Sequence, residues 1–330
     1  MSPASTVSPA GPVAAIDCGT NSIRLLIAEP DGATLRELHR EMRIVRLGQG
    51  VDATGAFAPE AIERTRAALS DYAGLLTAHR VQRVRMVATS AARDVSNRDA
   101  FFAMTARELG AAVPGAVAEV ISGTEEAALS FAGAVADLDV ATHGTAPLIV
   151  VDLGGGSTEV VLGERRDPGA DVLASYSADI GCVRLTERCL RSDPPTADQI
   201  AAARRVVDDQ IAAALAAVPV ERAHTWVGVA GTMTTLSALA HGLTHYDPAA
   251  IHLSRIDHHR LQQTCDRLIT MTRAERAALG PMHPGRVDVI GGGAIVAAQL
   301  AATLQQRAGL TELIVSEHDI LDGIALSVIG

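Results

Sequence analysis

The sequence contains no lysine, so all 28 of its Lys and Arg side chains are arginines. Without lysine, the chain cannot form the phosphate-binding loop G-x-x-x-x-G-K-[ST], a Schiff base with pyridoxal phosphate, or a Ser-Lys catalytic dyad. Acidic residues outnumber arginines by 38 to 28, and the formal net charge of −10 argues against general binding of nucleic acid. An anionic ligand must therefore be bound by local groups.

Cysteine is scarce too, with four residues and no C-x-x-C pair among them. This spacing argues against a zinc ribbon or a disulfide framework and predicts reduced, mostly buried thiols. The sequence also lacks a G-x-S-x-G motif, which leaves a serine hydrolase without support. No apolar run approaches the ~18 residues of a membrane span, and no secretory signal is visible. We expect a cytoplasmic protein that does not contact membranes, with residues 1–12 as a disordered tail.

The 330 residues suffice for two domains of ordinary size, and strand and helix patterns alternate along them. The first half reads βββαβαβα, and the same order restarts at residue 148 after a connection near residues 141–147. Ala14–Ile27 and Ile149–Leu162 both read apolar strand, D-x-G-x-x-S, apolar strand, with Asp17 and Asp152 in matching places. The repeat predicts two similar α/β domains, 13–140 and 148–317, with residues 318–330 packing back on the first.

Each D-x-G-x-x-S turn has the composition of a phosphate site, because small residues leave backbone N–H groups in one concavity and hydroxyls add donors. The predicted donors are Thr20, Asn21 and Ser22 in the first turn and Gly154, Gly155, Gly156, Ser157 and Thr158 in the second. Asp17 and Asp152 end the preceding strands, where a carboxylate can hold Mg²⁺ beside phosphate oxygens. One such turn alone is explained equally well as a plain tight hairpin, but two matching copies favour a function.

A candidate general base lies in the segment ISGTEEAALSF. Ser122 and Glu125 have the spacing of a capping box, in which the two side chains satisfy backbone groups at a helix start. Glu126 is not used by that cap and could face a cleft, where a carboxylate can accept a proton from water. The structural alternative is a surface acid favoured by the helix dipole.

Further candidates are two arginines and a second helix start. Arg24 belongs to the first hairpin and Arg93 to a strand-end loop, and the planar arginine fork suits phosphate oxygens, although either could form a surface ion pair. Gly231 and Thr232 begin a helix directly after a strand, where free N–H groups attract anions. Alone, the helix start is a weak signal.

In order along the chain, seven segments resemble the exopolyphosphatase and guanosine pentaphosphate phosphohydrolase family: DCGTNSIRLL, TSAARDVSN, EVISGTEEAALSF, VVDLGGGSTEVVLG, DIGCVRLTE, GVAGTMTTL and RVDVIGGGAI. The resemblance implies duplicated actin-like (ribonuclease H-like) domains, two lobes around a phosphate-binding cleft. It also implies that Glu126 is the general base, that Asp152 and Glu159 handle metal and the nucleophilic water, and that Arg93 binds phosphate. Together with the strand-end position of Asp17, this predicts Mg²⁺ or Mn²⁺ as the metal, with Asp17, Asp152 and Glu159 as its ligands.

Two departures limit what the resemblance implies. Longer members carry additional C-terminal helical domains, whereas this sequence looks like a short form with the two-domain core. Many relatives read L-R-E-G where this sequence has Leu321, Asp322 and Gly323, so the arginine of that motif is missing. Thr20 stands in place of the more usual serine and keeps the hydroxyl.

The expected function is an exopolyphosphatase that releases terminal orthophosphate from inorganic polyphosphate by metal-assisted attack of water. Three alternatives stay open at this stage. The first is hydrolysis of guanosine pentaphosphate in the same cleft, the second an actin-like kinase, and the third a non-catalytic sensor of polyphosphate or guanosine tetraphosphate. Glu126 favours an enzyme, because a sensor needs no base. A homodimer is among the assemblies that the sequence leaves open.

Overall fold

The computed structural model describes residues 11–31, 34–93, 95–138, 145–166 and 169–329. Residues 1–10 of the predicted tail (1–12) and residues 141–144 of the predicted connection (141–147) therefore lie outside the described residues. The strands are β1 (Val13–Cys18), β2 (Ser22–Asp31), β3 (Thr34–Ile44), β4 (Arg83–Ala88), β5 (Ala118–Val120), β6 (Leu148–Leu153), β7 (Thr158–Arg165), β8 (Ala170–Ala178), β9 (Thr225–Val229), β10 (Ser254–Asp257) and β11 (Glu312–Val315). The helices are α1 (Val51–Thr54), α2 (Pro59–Ala78), α3 (Ser90–Arg93), α4 (Arg98–Gly110), α5 (Gly123–Val135), α6 (Cys182–Cys189), α7 (Ala197–Ala217), α8 (Ala230–Ala240), α9 (Pro248–Ile251), α10 (His258–Thr270), α11 (Arg273–Ala277), α12 (Ile290–Ala308) and α13 (Ile320–Ile329).

The strands form two sheets whose central strands are arranged in the same way. The first has the order β3-β2-β1-β4-β5 and the second β10-β11-β9-β6-β7-β8. In each, a hairpin pairs antiparallel, β1 with β2 and β6 with β7, while its first strand pairs parallel with a later strand, β4 or β9. Every residue of β1 and of β6 is buried, as expected for central strands covered on both faces. The predicted duplicated α/β fold with two lobes is confirmed.

Two helices tie the lobes together. The apolar side of α5, with Ala127 and Phe131, belongs to a core cluster of the second sheet, although α5 lies within the range 13–140 predicted as the N-terminal unit. Ile320 and Ile324 of α13 instead pack on the first sheet. A division of the chain by sequence order alone therefore misses the packing of α5, because a helix at a domain junction can pack on either side.

The crossing of α5 and α13 is so close that only glycine fits. A Cβ on Gly133 would lie 1.8 Å from the carbonyl oxygen of Asp319, and a Cβ on Gly323 would lie 1.9 Å from that of Leu129. Both distances are far below any real contact, so each helix needs a glycine where the other passes. Throughout the described ranges, no helix combines the length and apolar character that a membrane crossing requires.

Candidate active site

The two D-x-G-x-x-S turns adopt the same local structure. In the first, the Gly19 N–H donates to the Ser22 carbonyl at 3.0 Å, and in the second the Gly154 N–H donates to the Ser157 carbonyl at 3.1 Å. This bond closes each hairpin and leaves the intervening residues at its tip.

The turns face each other across the lobe interface. A Cβ on Gly155 would lie 3.0 Å from the Thr20 Cβ, and a Cβ on Gly156 would lie 2.6 Å from the Thr20 Oγ1. Glycine at both positions lets the first turn approach the backbone of the second. The two lobes thereby form one cavity from both copies of the repeat.

Most residues predicted for the site line that single cavity. These are Asp17, Thr20, Asn21, Ser22, Arg24, Glu126, Asp152, Gly154, Gly155, Gly156, Ser157, Gly231 and Thr232. Arg93, Thr158 and Glu159 were predicted as well but do not reach the cavity wall. The Thr158 hydroxyl donates to the Ile180 carbonyl at 2.7 Å, so it serves the fold rather than a ligand. Arg93 pairs with Glu126 of the wall, and Glu159 lies opposite Asp152 of the wall on the neighbouring strand.

The acid of the first hairpin is paired with an arginine on the adjacent strand. Asp17 lies opposite Arg24 in the β1–β2 register, and Arg24 donates to Asp17 Oδ2 through Nε at 3.0 Å and Nη2 at 2.6 Å. Arg24 also donates through Nη1 to Asp319, a buried residue immediately before α13. Burial raises the pKa of Asp17, while Arg24 opposes that rise. One guanidinium therefore balances two buried carboxylates from opposite ends of the chain.

The second hairpin places two acids where the first has an acid and an arginine. Asp152 lies opposite Glu159 in the β6–β7 register, and both side chains are buried. Each accepts from a hydroxyl, Asp152 from Ser130 at 2.6 Å and Glu159 from Ser177 at 2.7 Å. Burial, reinforced by the charge of Asp319, raises the pKa of Asp152 to about 7. Burial also raises the pKa of Glu159 well above its usual range.

Glu126 reaches the cavity from the first turn of α5. It is 7% exposed, and Arg93 donates to its Oε2 at 2.6 Å. Burial raises the pKa of this carboxyl, and Arg93 partly opposes the rise. Half of the predicted capping box is present, since the Ser122 hydroxyl accepts from the Glu125 N–H, but the Glu125 carboxylate pairs with Arg85 instead of closing the box.

The start of α8 completes the cavity and carries backbone strain. Ala230 has φ of +71°, a conformation that costs energy for any residue except glycine and that clusters at functional sites. Gly231 and Thr232 follow it in the wall. Because the first N–H groups of a helix lack partners within the helix, this end attracts anions.

Two charged residues of the site were missed by the sequence reasoning. Arg286 lines the cavity beside Gly231, where a Cβ would lie 2.4 Å from its Nη2. It opens the segment RVDVIGGGAI, one of those that carry the family resemblance, so the motif contained the signal. The other residue, Asp319, carries no local pattern, because only the folded chain brings it to Arg24.

The chemistry of the cavity fits a divalent cation. Mg²⁺ prefers oxygen ligands and commonly uses one or two carboxylates together with substrate phosphates. Asp17 and Asp152 both line the cavity, and Asp17 Oδ1 is a buried oxygen without a hydrogen-bond partner among the described residues. Such an oxygen is costly to leave unpaired, so it is suited to an incoming cation.

The three predicted metal ligands do not form a compact set. Among the described residues, the one group of three or more such side chains with all ligand atoms within 4.8 Å of one another is Asp137, His252 and His318. This group lies outside the cavity. Glu159 in particular is separated from the cavity wall, so its part in holding a metal stays a prediction.

Comparison with known proteins agrees with the fold and the motifs. A family model described as the Ppx/GppA phosphatase family matches residues 26–328. Exopolyphosphatase 2 of Mycobacterium tuberculosis is 67% identical over 322 residues, which are 96% of this chain and 98% of that protein. A guanosine-5'-triphosphate,3'-diphosphate pyrophosphatase of Photobacterium profundum is 33% identical over 275 residues, 83% of this chain but 49% of that protein.

Solved structures show the same architecture over nearly the full length. The crystal structure of an exopolyphosphatase-like protein superposes with a TM-score of 0.91 at 43% identity, covering 96% of this chain and 97% of the other. The Ppx/GppA enzyme of Aquifex aeolicus superposes with a TM-score of 0.76 at 31% identity, covering 96% and 99%.

Proposed function

This chain belongs to the Ppx/GppA phosphatase family, and we propose that it is an exopolyphosphatase that releases terminal orthophosphate from inorganic polyphosphate. The main support for this proposal is the shared cavity, in which two phosphate-type turns, a helix start and a buried glutamate converge. The 67% identical relative named as an exopolyphosphatase supports the same activity. The reaction is hydrolysis of a phosphoanhydride bond by water.

In this proposal the cavity holds successive phosphates through groups that need no rearrangement. Backbone N–H groups of the two turns and of the α8 start point at the phosphate oxygens, and the Thr20 hydroxyl adds a donor. The Ser157 hydroxyl already bonds the Glu159 carboxylate, so Ser157 contributes through its backbone. Arg286 supplies a positive charge, because it donates to the neutral Thr235 hydroxyl at 3.0 Å and forms no ion pair with any described carboxylate. Arg24 is less available, since it is shared between Asp17 and Asp319.

Glu126 accepts the proton of the attacking water. Its raised pKa makes it a stronger base than an exposed glutamate, and Arg93 fixes its orientation. In this arrangement Arg93 positions the base and does not contact phosphate. The resemblance implies that Arg93 contacts phosphate directly. In this proposal Arg93 acts on the reaction only through Glu126.

Asp152 and Asp17 would hold Mg²⁺ or Mn²⁺, with Glu159 setting the charge next to Asp152. When bound, the cation neutralises charge on the phosphoryl group that is transferred. It would also lower the pKa of the neighbouring carboxyls, which burial has raised.

A second candidate substrate is guanosine pentaphosphate, because an apolar pocket of about 420 Å³ adjoins the phosphate cavity. The two share Arg24, Gly231 and Arg286, and the pocket adds Tyr246 and Met282. Such a wall suits a planar organic group such as a nucleobase. The Photobacterium relative named for this kind of substrate supports the same candidate.

Phosphate release decides between these candidates. The purified chain is incubated with Mg²⁺ and either polyphosphate of defined length or guanosine pentaphosphate, and orthophosphate is measured over time. We expect a higher kcat/KM on polyphosphate. Faster release from the guanosine compound would reverse the order, and tight binding without release from either would identify a sensor.

A further inference from the structure

The phosphate cavity is bordered by two depressions of different character. One is the apolar pocket with Tyr246 described above. The other is a groove of about 340 Å³ lined by Arg46, Arg191 and Arg273, which we call the arginine groove. Thr20 and Asn21 line both the cavity and the arginine groove, so the two are continuous.

The charges of the two depressions differ. The arginine groove has three arginines against two carboxylates, Glu187 and Asp288. The apolar pocket has as many carboxylates as arginines, with Glu41, Glu317 and Asp319 facing Arg24, Arg40 and Arg286. A polyanion leaving the cavity therefore meets an excess of positive charge on one side only.

The arginines of the groove are not equally available. Arg46 donates to both oxygens of Asp288, at 2.6 and 3.1 Å, so its charge is already offset. Arg191 and Arg273 are exposed and form no ion pair with a described residue. These two guanidinium groups are thus free to bind an anion in the bidentate manner that phosphate favours.

The loops that carry these arginines are held by backbone contacts. The Arg273 N–H at the start of α11 donates to Asp193 Oδ1 at 2.8 Å, which links this helix to the loop that follows Arg191. On the opposite wall, the Gly50 N–H donates to both carboxylate oxygens of Glu187 at 3.3 Å, so residues of both lobes border the groove. A ligand lying along it would contact both lobes.

We propose that the arginine groove binds the unreacted part of a polyphosphate chain, which runs from the cavity past Thr20 and Asn21 to Arg191 and Arg273. This inference rests on the proposed function and adds the path by which the polyphosphate chain leaves the cavity. The apolar pocket offers the chain no comparable attraction, because its three carboxylates offset its three arginines. Long chains then gain affinity from contacts that a chain of three phosphates is too short to make.

The test compares substrates of two lengths in two double variants. Arg191→Gln with Arg273→Gln removes both free charges of the groove. The control is Arg260→Gln with Arg267→Gln, an equal change of charge at exposed residues of α10 that border a separate depression. For each protein, kcat/KM is measured on tripolyphosphate and on polyphosphate of several hundred units, at several salt concentrations.

We expect the groove variant to lower the ratio of kcat/KM on long chains to that on tripolyphosphate about tenfold, because two solvent-exposed ion contacts are each worth about 1 kcal/mol or less. Its long-chain KM should also depend less steeply on salt, because fewer counterions are released on binding. The control variant should keep the wild-type ratio. An unchanged ratio in the groove variant, or an equal fall in both variants, would overturn the proposal.

Direct binding separates this proposal from the proposed function. If no polyphosphate is hydrolysed, the assignment as an exopolyphosphatase fails, but the affinity of wild type and variants for long polyphosphate still decides the role of the groove. Weaker binding in the groove variant alone supports it. Equal binding in all three proteins contradicts it.

Discussion

The two hairpins of the repeat have the same backbone and opposite electrostatics. At the position facing the strand-end aspartate, the first hairpin has Arg24 and the second has Glu159. The first is thus balanced by the chain itself, whereas the second buries two acids whose pKa values burial raises. Both lobes have the phosphate-type turn, but only the second lacks an arginine opposite its strand-end aspartate. A bound cation should therefore stabilise the second hairpin more than the first.

The largest effect should come from the base that lies with the acids of the second hairpin. Glu126→Gln should lower kcat for phosphate release by about 10² to 10⁴ while leaving substrate binding largely intact, because an amide cannot accept the proton of water. The matched control is Glu125→Gln, a neighbouring exposed residue paired with Arg85, which should stay close to wild type. Unchanged kcat in Glu126→Gln would remove this residue from the mechanism.

Removal of the balancing arginine should make the first hairpin resemble the second. Arg24→Gln leaves Asp17 and Asp319 buried without their partner, and breaking such a buried pair costs about 3 to 5 kcal/mol. Urea unfolding measures the change. Arg36→Gln is the control, since its ion pair with Glu29 is exposed and should contribute about 1 kcal/mol or less. Similar losses in the two variants would show that the first hairpin is not electrostatically balanced by Arg24.

The second hairpin should make stability depend on pH when no metal is added. The Asp152 pKa of about 7 in the folded protein exceeds its usual value of 3.8, so its unfavourable contribution is absent below about pH 4 and grows as pH rises toward 7. Stability of wild type relative to Asp152→Asn should therefore fall between pH 4 and 7. Mg²⁺ should restore part of it in wild type. A difference that is flat with pH would mean that Asp152 is not destabilised by burial.

The smallest change in stability should come from Glu159→Gln, at the position equivalent to Arg24. Because this carboxyl already has a strongly raised pKa, an amide of the same shape should keep the unfolding free energy within about 1 kcal/mol of wild type. Phosphate release and the stabilisation by Mg²⁺ should nevertheless decrease. A loss of unfolding free energy as large as that of Arg24→Gln would contradict the proposed electrostatic difference between the hairpins.

The sequence was informative where the chemistry is local. The spacing D-x-G-x-x-S located both turns, and the capping pattern distinguished Glu126 from Glu125, since those signals lie within a few residues. Local reasoning was less successful with side chains that have two possible partners. Glu125 was expected to close the capping box with Ser122, but its carboxylate pairs with Arg85 instead.

The residues that sequence reasoning missed depend on contacts across the molecule. Asp319 meets Arg24 over a separation of 295 positions, and Ser130 of α5 meets Asp152 of β6 over 22 positions. No periodicity or motif encodes such a meeting, because it follows from how α5 and α13 cross between the lobes. Nothing in the sequence indicated a partner for Arg93, and only the folded geometry pairs it with Glu126.

The crossing of α5 and α13 has a consequence for the charge balance of the cleft. The carbonyl of Asp319 abuts Gly133, so the space taken by one methyl group there would displace the residue whose carboxylate shares Arg24 with Asp17. The absence of a side chain on Gly133 thereby sets how far the Asp319 carboxylate stands from its counterion. A substitution of Gly133 should therefore disturb the ion pairs at the cleft as well as the packing of α13 on α5.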